Sequence, residues 1–158
     1  EDITVLQQFR HPNVARLYGI VLSPGNTQNF VYELGSRISL EHVLKHQSHC
    51  LRWSRRISIL LDVCKGLNFL HNGGNDSRYK VFHRDLKPGN IIITGDYTAK
   101  LIDCGLAKFG SDESSRVASN LKKSSQDGVL GTLGYRCPKY ESTHGFEYQA
   151  ACDIFSLG

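Results

Sequence analysis

The chain contains no methionine and a single tryptophan, and its apolar residues form no long uninterrupted run. The missing methionine indicates a piece of a longer protein. Because no stretch approaches the roughly 20 apolar residues that cross a bilayer, and no cleavable leader is recognisable, we expect no membrane segment here. The five cysteines are odd in number and include no C-x-x-C pair, which predicts free thiols in a reducing compartment, the cytoplasm.

Charge and length restrict the function further. The net charge is only +4, and the lysines and arginines are scattered apart from Lys122 and Lys123, so nothing predicts a nucleic-acid partner. With 158 residues, 40% hydrophobic and 22% charged, the composition is typical of one globular domain with a sizeable core.

The most informative stretch is His83–Asn90, which reads His-Arg-Asp-Leu-Lys-Pro-Gly-Asn. It contains a carboxylate (Asp85), a lysine (Lys87) and an amide (Asn90), and an apolar run follows at once. A second carboxylate, Asp103, follows a second apolar run and precedes Cys104-Gly105. A carboxylate for a proton, oxygen ligands for a hard metal ion and a lysine for phosphate are the groups that phosphoryl transfer requires.

The order H-R-D-L-x-x-x-N and then D-x-G resembles the signature of the protein kinases. Four further segments resemble landmarks of that family in the same order: His11-Pro12-Asn13, Tyr32–Gly35, Gly131–Pro138 and Asp153–Gly158. The pattern Leu51-x-Trp53-x-x-Arg56-Ile57 is similar to the plant receptor-like kinases and the Pelle and interleukin-receptor-associated kinases, in the tyrosine-kinase-like branch.

The resemblance implies an α+β, truncated kinase-like fold. Residues 1–33 would be the end of the small lobe, and residues 34–158 the front part of the mainly helical large lobe. No G-x-G-x-x-G loop and no Val-Ala-Ile-Lys strand occurs in the chain. In the family both would precede residue 1.

The resemblance also implies roles for individual residues. Asp85 would accept the proton of the substrate hydroxyl, Lys87 would face the transferring phosphate, and Thr132 would contact both. Asn90 and Asp103 would hold Mg²⁺. The residues implied around ATP are Tyr32, Glu33, Leu34, Lys87, Ile92 and Asp103.

Two neighbours of Asp85 have other implied roles. His83 would be structural, stacked with Leu6, Leu17 and Cys104. Arg84 would pair with a phosphate carried by a mobile segment that spans residues 110–131. The candidate acceptors are Ser111, Ser114, Ser115, Ser119, Ser124 and Ser125, among which the sequence does not choose.

The implied activity is ATP-dependent phosphorylation of serine and threonine hydroxyls in proteins by the parent protein, because a lysine at position 87 resembles serine/threonine kinases. An upstream receptor or adaptor is an implied partner, and the chain could be the intracellular part of a membrane receptor. Four departures from the family pattern keep a second hypothesis open: Asp2, Cys104, Cys137 and Lys139 stand where glutamate, phenylalanine, alanine and glutamate are usual. That alternative is a pseudokinase, a nucleotide-binding or scaffolding module in signalling.

Apolar periodicity and turn residues predict the secondary structure. Ser39 is expected to cap a short helix through residue 45, and residues 51–71 form the longest helical pattern, with Trp53, Ile57, Leu60, Leu61, Cys64, Leu67 and Leu70 as its apolar stripe. A helix is expected to end near residue 10 and another to begin near residue 153. Strands are predicted at 14–22, 29–33, 91–94 and 99–102.

Overall fold

The computed structural model describes residues 6–23, 27–33, 38–74, 80–103, 108–110, 131–142 and 148–158. Leu34, Cys104, Asp2 and the six candidate serines lie outside these ranges. The elements in chain order are β1 (Leu17–Ser23), β2 (Thr27–Tyr32), α1 (Leu40–His46), α2 (Trp53–His71), β3 (Lys80–Phe82), β4 (Ile91–Ile93), β5 (Ala99–Leu101), β6 (Lys108–Gly110), α3 (Pro138–Ser142) and α4 (Ala150–Leu157).

The strands pair in three antiparallel hairpins or ladders of two strands each: β1 with β2, β3 with β6, and β4 with β5. The predicted strand at 14–22 begins later, at Leu17, because Val14 forms only isolated bridges, to His11 and to Leu101 on β5. The strand predicted at 29–33 occupies Thr27–Tyr32 instead. The predicted strands at 91–94 and 99–102 are confirmed, each one residue shorter.

Helix α1 begins as the sequence predicts. The hydroxyl of Ser39 accepts a hydrogen bond of 3.2 Å from the backbone N–H of His42, which satisfies one of the amides that a helix start leaves unpaired. Leu40 and Val43 are buried beneath the helix. Near the amino terminus, Leu6 is the last helical residue, so the predicted helix ends before residue 10.

Helix α2 buries a different face from the one predicted. Its buried residues are Ile59, Val63, Gly66, Leu67 and Leu70. Five residues of the predicted stripe are exposed, so the prediction is wrong for Trp53, Ile57, Leu60, Leu61 and Cys64. Apolar residues surround so much of this helix that periodicity alone does not select one face.

The core lies where α2 packs against β5 and β3. The turn His11-Pro12-Asn13 is hydrogen-bonded to β5 at the edge of this core. The carbonyl of Asn13 accepts from Leu101 N–H at 2.9 Å, and the Asn13 side-chain amide donates to the Ala99 carbonyl at 2.9 Å. These bonds attach the segment before β1 to the strand that leads to Asp103. In the described parts of the chain, no helix is long and apolar enough to cross a membrane.

The division into residues 1–33 and 34–158 stays a prediction.

Candidate active site

The segment His83–Asn90 folds back on itself between β3 and β4. Asn90 closes it, because its side-chain Nδ2 donates to the Asp85 carbonyl at 2.8 Å and to Asp85 Oδ2 at 3.0 Å. The backbone of Asn90 is also fixed, since its carbonyl accepts from Ile102 N–H at 3.0 Å. Asp85 and Asn90 are both buried. The carboxylate and the amide are therefore positioned by the same local fold.

Asp85, Lys87 and Thr132 form a closed triangle of short contacts. Lys87 Nζ lies 2.8 Å from Asp85 Oδ2 and 2.7 Å from Thr132 Oγ1, and the Thr132 hydroxyl donates to Asp85 Oδ1 at 2.6 Å. The predicted contact of Thr132 with both residues is thus present. The segment 131–142, which carries Thr132, reaches the His83–Asn90 segment through this triangle.

The triangle keeps Asp85 ionised. Burial by itself would raise the pKa of the Asp85 carboxyl, but hydrogen bonds from Lys87, Thr132 and Asn90, together with the charge of Lys87, hold the pKa below its usual value. At neutral pH Asp85 is a carboxylate whose geometry is fixed by three donors. Such a group can orient a hydroxyl and accept its proton late in a reaction, when the oxygen has become acidic.

A cleft opens beside the triangle. It measures about 410 Å³ when the space open to solvent is included, and its lining residues are Glu41, Lys87, Pro88, Gly89, Thr132 and Tyr135. Side chains from α1, from the His83–Asn90 segment and from the 131–142 segment therefore converge on one open space. Two of its lining residues, Lys87 and Thr132, are the ones that contact Asp85.

His83 is a structural residue in this arrangement. It is fully buried; its Nδ1 accepts from Asp85 N–H at 3.4 Å, and its Nε2 lies 3.0 Å from the Ile102 carbonyl. Because a carbonyl only accepts, Nε2 carries the proton. Burial lowers the pKa of His83, more than nearby carboxylates and the Ile102 carbonyl raise it. Its predicted stack partner Cys104 lies outside the described residues.

Asp153 on α4 fixes the start of the His83–Asn90 segment. This fully buried carboxylate accepts the backbone amides of His83 at 2.9 Å and Arg84 at 3.0 Å. It also accepts from the Tyr148 hydroxyl at 2.7 Å, and His71 Nε2 lies 2.8 Å away. Burial would raise the pKa of Asp153, but these four donors lower it. The Tyr148 and His71 contacts were not predicted, because no local pattern links positions so far apart.

Arg84 contacts aromatic residues among the described parts of the chain. Its Nη2 donates to the Tyr140 hydroxyl at 2.8 Å, and its guanidinium lies over the rings of Tyr140 and Tyr148. Its backbone has a positive φ of 69°. The serines that are candidates to carry the phosphate lie outside the described residues, so the pairing of Arg84 with a phosphate stays a prediction.

The two residues predicted to hold magnesium, Asn90 and Asp103, lie on segments that are joined by a backbone hydrogen bond. Ile102 N–H donates to the Asn90 carbonyl, and Asp103, which has a positive φ of 61° and an exposed side chain, is the residue after Ile102. Both side-chain hydrogen bonds from Asn90 to Asp85 use the amide nitrogen, so neither occupies the side-chain oxygen, the atom that could ligate a metal. An amide oxygen and a carboxylate are the hard donors that Mg²⁺ accepts, with water and phosphate completing its shell, so these residues fit the ion. Among the described residues there is no cluster of three or more His, Cys, Asp or Glu side chains that could hold a metal.

On the predicted nucleotide side, Glu33 is held at both its backbone and its side chain. Its N–H donates to the Arg16 carbonyl at 2.8 Å, and its carboxylate lies 2.5 Å from Lys100 Nζ on β5. The Glu33 amide and carboxylate are therefore both engaged within the protein, and its contact with a nucleotide stays a prediction. Tyr32 ends β2, and Ile92 lies in the middle of β4, both half-buried.

The sequence matches the family described as "Protein kinase domain" over residues 1–158. The chain is 39% identical to the probable serine/threonine-protein kinase PBL8 of Arabidopsis thaliana, over 99% of this chain and 35% of that protein. It is 35% identical to a probable LRR receptor-like serine/threonine-protein kinase of the same plant, over 99% of this chain and 14% of that protein. The chain thus spans about a third or less of these relatives.

A solved structure agrees on the fold. The chain aligns with a protein in the crystal structure of the yeast RNA Pol II CTD kinase CTDK-1 complex, with a TM-score of 0.72 and 24% identity, over 98% of this chain and 45% of that one. An identity this low shows the α+β kinase fold alone. Because the family match extends over the whole chain, residues 1–158, the chain belongs to the protein kinase domain family.

Proposed function

We propose that the protein containing this chain transfers the γ-phosphoryl group of ATP to serine and threonine hydroxyls of proteins. The observation that carries the proposal is the triangle of Asp85, Lys87 and Thr132 at the edge of an open cleft. The names of the relatives, which are serine/threonine-protein kinases, support the same reaction class.

In this proposal Asp85 acts mainly by position. Its Oδ1 and Oδ2 are held by Thr132, Lys87 and Asn90, so a substrate hydroxyl placed in the cleft would be aligned toward the phosphorus and would lose its proton to the carboxylate. Most of the catalytic gain in phosphoryl transfer comes from such positioning and from charge stabilisation. Lys87 supplies a compact positive charge beside the transferring group.

Asn90 and Asp103 would hold Mg²⁺ through their side-chain oxygens. The ion, when bound, neutralises charge on the phosphates. Tyr32, Glu33, Leu34 and Ile92 would surround the adenine, with the Glu33 carbonyl as an acceptor. The bond between Ile102 and Asn90 supports this assignment, because it fixes the metal residues to strands β4 and β5, which also carry Ile92.

The partners of the reaction follow from the cleft and the relatives. An open cleft accommodates a protein substrate better than a closed pocket would. A receptor-like relative supports an upstream receptor or adaptor, with this chain on the cytoplasmic side of the membrane.

The test is phosphate transfer from labelled ATP to a generic serine/threonine substrate by the full-length protein with Mg²⁺. Asp85→Asn is expected to lower kcat by about 10²- to 10⁴-fold, the usual contribution of a positioned acid or base, while ATP binding measured by calorimetry is retained. Asp96→Asn, on the exposed turn between β4 and β5, is the matched control and should transfer phosphate normally. Equal transfer by Asp85→Asn would refute the assignment. ATP binding with no transfer by any form would favour the pseudokinase hypothesis instead.

A further inference from the structure

Two of the cysteines lie on segments that pack against each other. Cys137 directly precedes α3, and Cys152 lies in α4 directly before Asp153. The Ser156 hydroxyl joins the two segments, since it lies 2.7 Å from the Tyr135 carbonyl oxygen and 3.0 Å from the Cys152 carbonyl oxygen. Cys152 precedes Ser156 by one helical turn and lies on the same face of α4. The face of α4 that carries Cys152 is therefore the face that meets the segment carrying Cys137, and each thiol contributes to the pKa of the other.

The two thiols differ in accessibility. Cys137 is half-buried and can be reached by a small oxidant, whereas Cys152 is 1% exposed. Cys50 and Cys64 are exposed to solvent. An accessible thiol backed by a shielded one is the arrangement in which the first is oxidised and the second resolves it.

The surroundings of the pair favour a thiolate on Cys137. Burial opposes it, but the amides of Tyr140 and Lys139, the Cys152 thiol and the Lys139 charge together hold the pKa of Cys137 below its usual value. Burial raises the pKa of Cys152. Because the thiolate is the nucleophilic form, Cys137 is the sulfur that reacts with an oxidant first.

We propose that Cys137 and Cys152 form a hydroperoxide-sensitive dithiol that closes reversibly into a disulfide. The Cys137 thiolate attacks one oxygen of hydrogen peroxide, the O–O bond breaks, and hydroxide leaves and takes up a proton as water. The resulting sulfenic acid is then attacked by the Cys152 sulfur after it loses its proton, and a second water leaves. Two thiols are oxidised, one peroxide is reduced to two waters, and a dithiol reductant reverses the change.

The disulfide would join two supports of the candidate active site. One is the 131–142 segment, whose Thr132 contacts Asp85, and the other is α4, whose Asp153 holds His83 and Arg84. The inference goes beyond the proposed kinase activity and does not depend on it, because formation of the bond is measured directly.

The test uses the full-length native protein treated with graded hydrogen peroxide, alkylated, digested without reduction and mapped by mass spectrometry. A peptide linking Cys137 to Cys152 is expected at peroxide concentrations that leave Cys50 and Cys64 alkylated, and it should disappear after dithiothreitol. Cys137→Ser should abolish the link. Cys152→Ser should leave Cys137 as a sulfenic acid that dimedone traps, and Cys64→Ser, the exposed control, should not change the yield.

Three results would overturn the proposal: Cys137 remaining fully alkylated after peroxide, dimedone trapping of Cys137 in the wild type without any link to Cys152, or linkage of Cys137 to another cysteine. The wild-type map decides even where Cys152→Ser does not fold, and Cys152→Ala then replaces that variant.

Discussion

The Thr132 hydroxyl donates a 2.6 Å hydrogen bond to Oδ1 of Asp85, across a sequence separation of 47 residues. The same hydroxyl accepts from Lys87 Nζ at 2.7 Å. Thr132 thus links Asp85 and Lys87, and it belongs to a different segment from both. The bond makes the geometry of Asp85 depend on the position of residues 131–142.

Replacing Thr132 with valine should therefore lower activity more than stability. The change removes two hydrogen bonds at nearly constant shape, which is worth about 1–3 kcal/mol in total, or about 5- to 150-fold in kcat. Thr132→Ser keeps the hydroxyl and should remain within a few-fold of wild type. Steady-state kinetics of the full-length protein measure both, and equal kcat for the valine and serine variants would show that the hydroxyl does not position Asp85.

A second prediction concerns Asp153, which is buried and accepts from four donors. In Asp153→Asn, one carboxylate oxygen becomes an amide NH2 group, which is itself a donor and cannot accept from the donors that face it. We therefore expect the free energy of unfolding to fall by about 2–4 kcal/mol. Tyr148→Phe removes a single donor and should cost about 1 kcal/mol. Denaturant unfolding of the two variants beside wild type gives the order, and a cost for Asp153→Asn no greater than that for Tyr148→Phe would argue against the network.

The sequence predicts the chemical groups of this site better than it predicts their supports. The spacing in His83–Asn90 identifies residues that the structure does bring together, since Lys87 and Asn90 both contact Asp85 and a short loop constrains them locally. The metal role of Asp103 stays a prediction. His71 and Tyr148 reach Asp153 only through the packing of α2 and α4. Because Asp153 accepts from backbone amides far away in the sequence, no fixed spacing between residues marks the interaction, and a sequence pattern cannot detect it.

Helix α2 shows a second limit of the same kind. Its sequence offers two overlapping apolar faces, and the predicted one includes Trp53, which is 75% exposed. The buried face is the one with Gly66, because only a residue without a side chain allows the helix to approach the backbone at Asn13. Close approach between elements depends on tertiary structure, so periodicity did not reveal it.

A third prediction is a pH dependence of stability from His83. Its pKa is lowered by burial in the folded state, while the unfolded value is about 6.5. Below that pH, His83 binds a proton in the unfolded chain but stays neutral in the folded chain. The contribution of His83 to the free energy of unfolding is therefore fully present above about pH 6.5 and falls as the pH decreases toward 5. The slope contributed by one histidine is at most about 1.4 kcal/mol per pH unit.

The check is to measure unfolding free energy from pH 5 to 8 for wild type and His83→Gln. The difference between the curves should shrink as the pH falls, because the variant lacks the titrating group. His11 also has a lowered pKa, through burial and the nearby charge of Lys65, so His11→Gln is the matched comparison. Parallel curves for wild type and His83→Gln would mean that His83 titrates alike in both states.

The last prediction tests the close approach at Gly66. In the interior of a helix, glycine to alanine normally stabilises by about 1 kcal/mol. Here a Cβ would lie 2.7 Å from the Asn13 carbonyl oxygen and 3.0 Å from Leu101 Cδ1, and that carbonyl already accepts from Leu101 N–H. The backbone must shift and weaken this bond, so Gly66→Ala should destabilise by about 1–3 kcal/mol, the usual cost of overpacking. Gly95→Ala, at a turn where a Cβ meets nothing within 4 Å, is the control and should be nearly neutral. A Gly66→Ala protein that melts at or above the wild-type temperature would show that α2 and the Asn13 turn are not in contact.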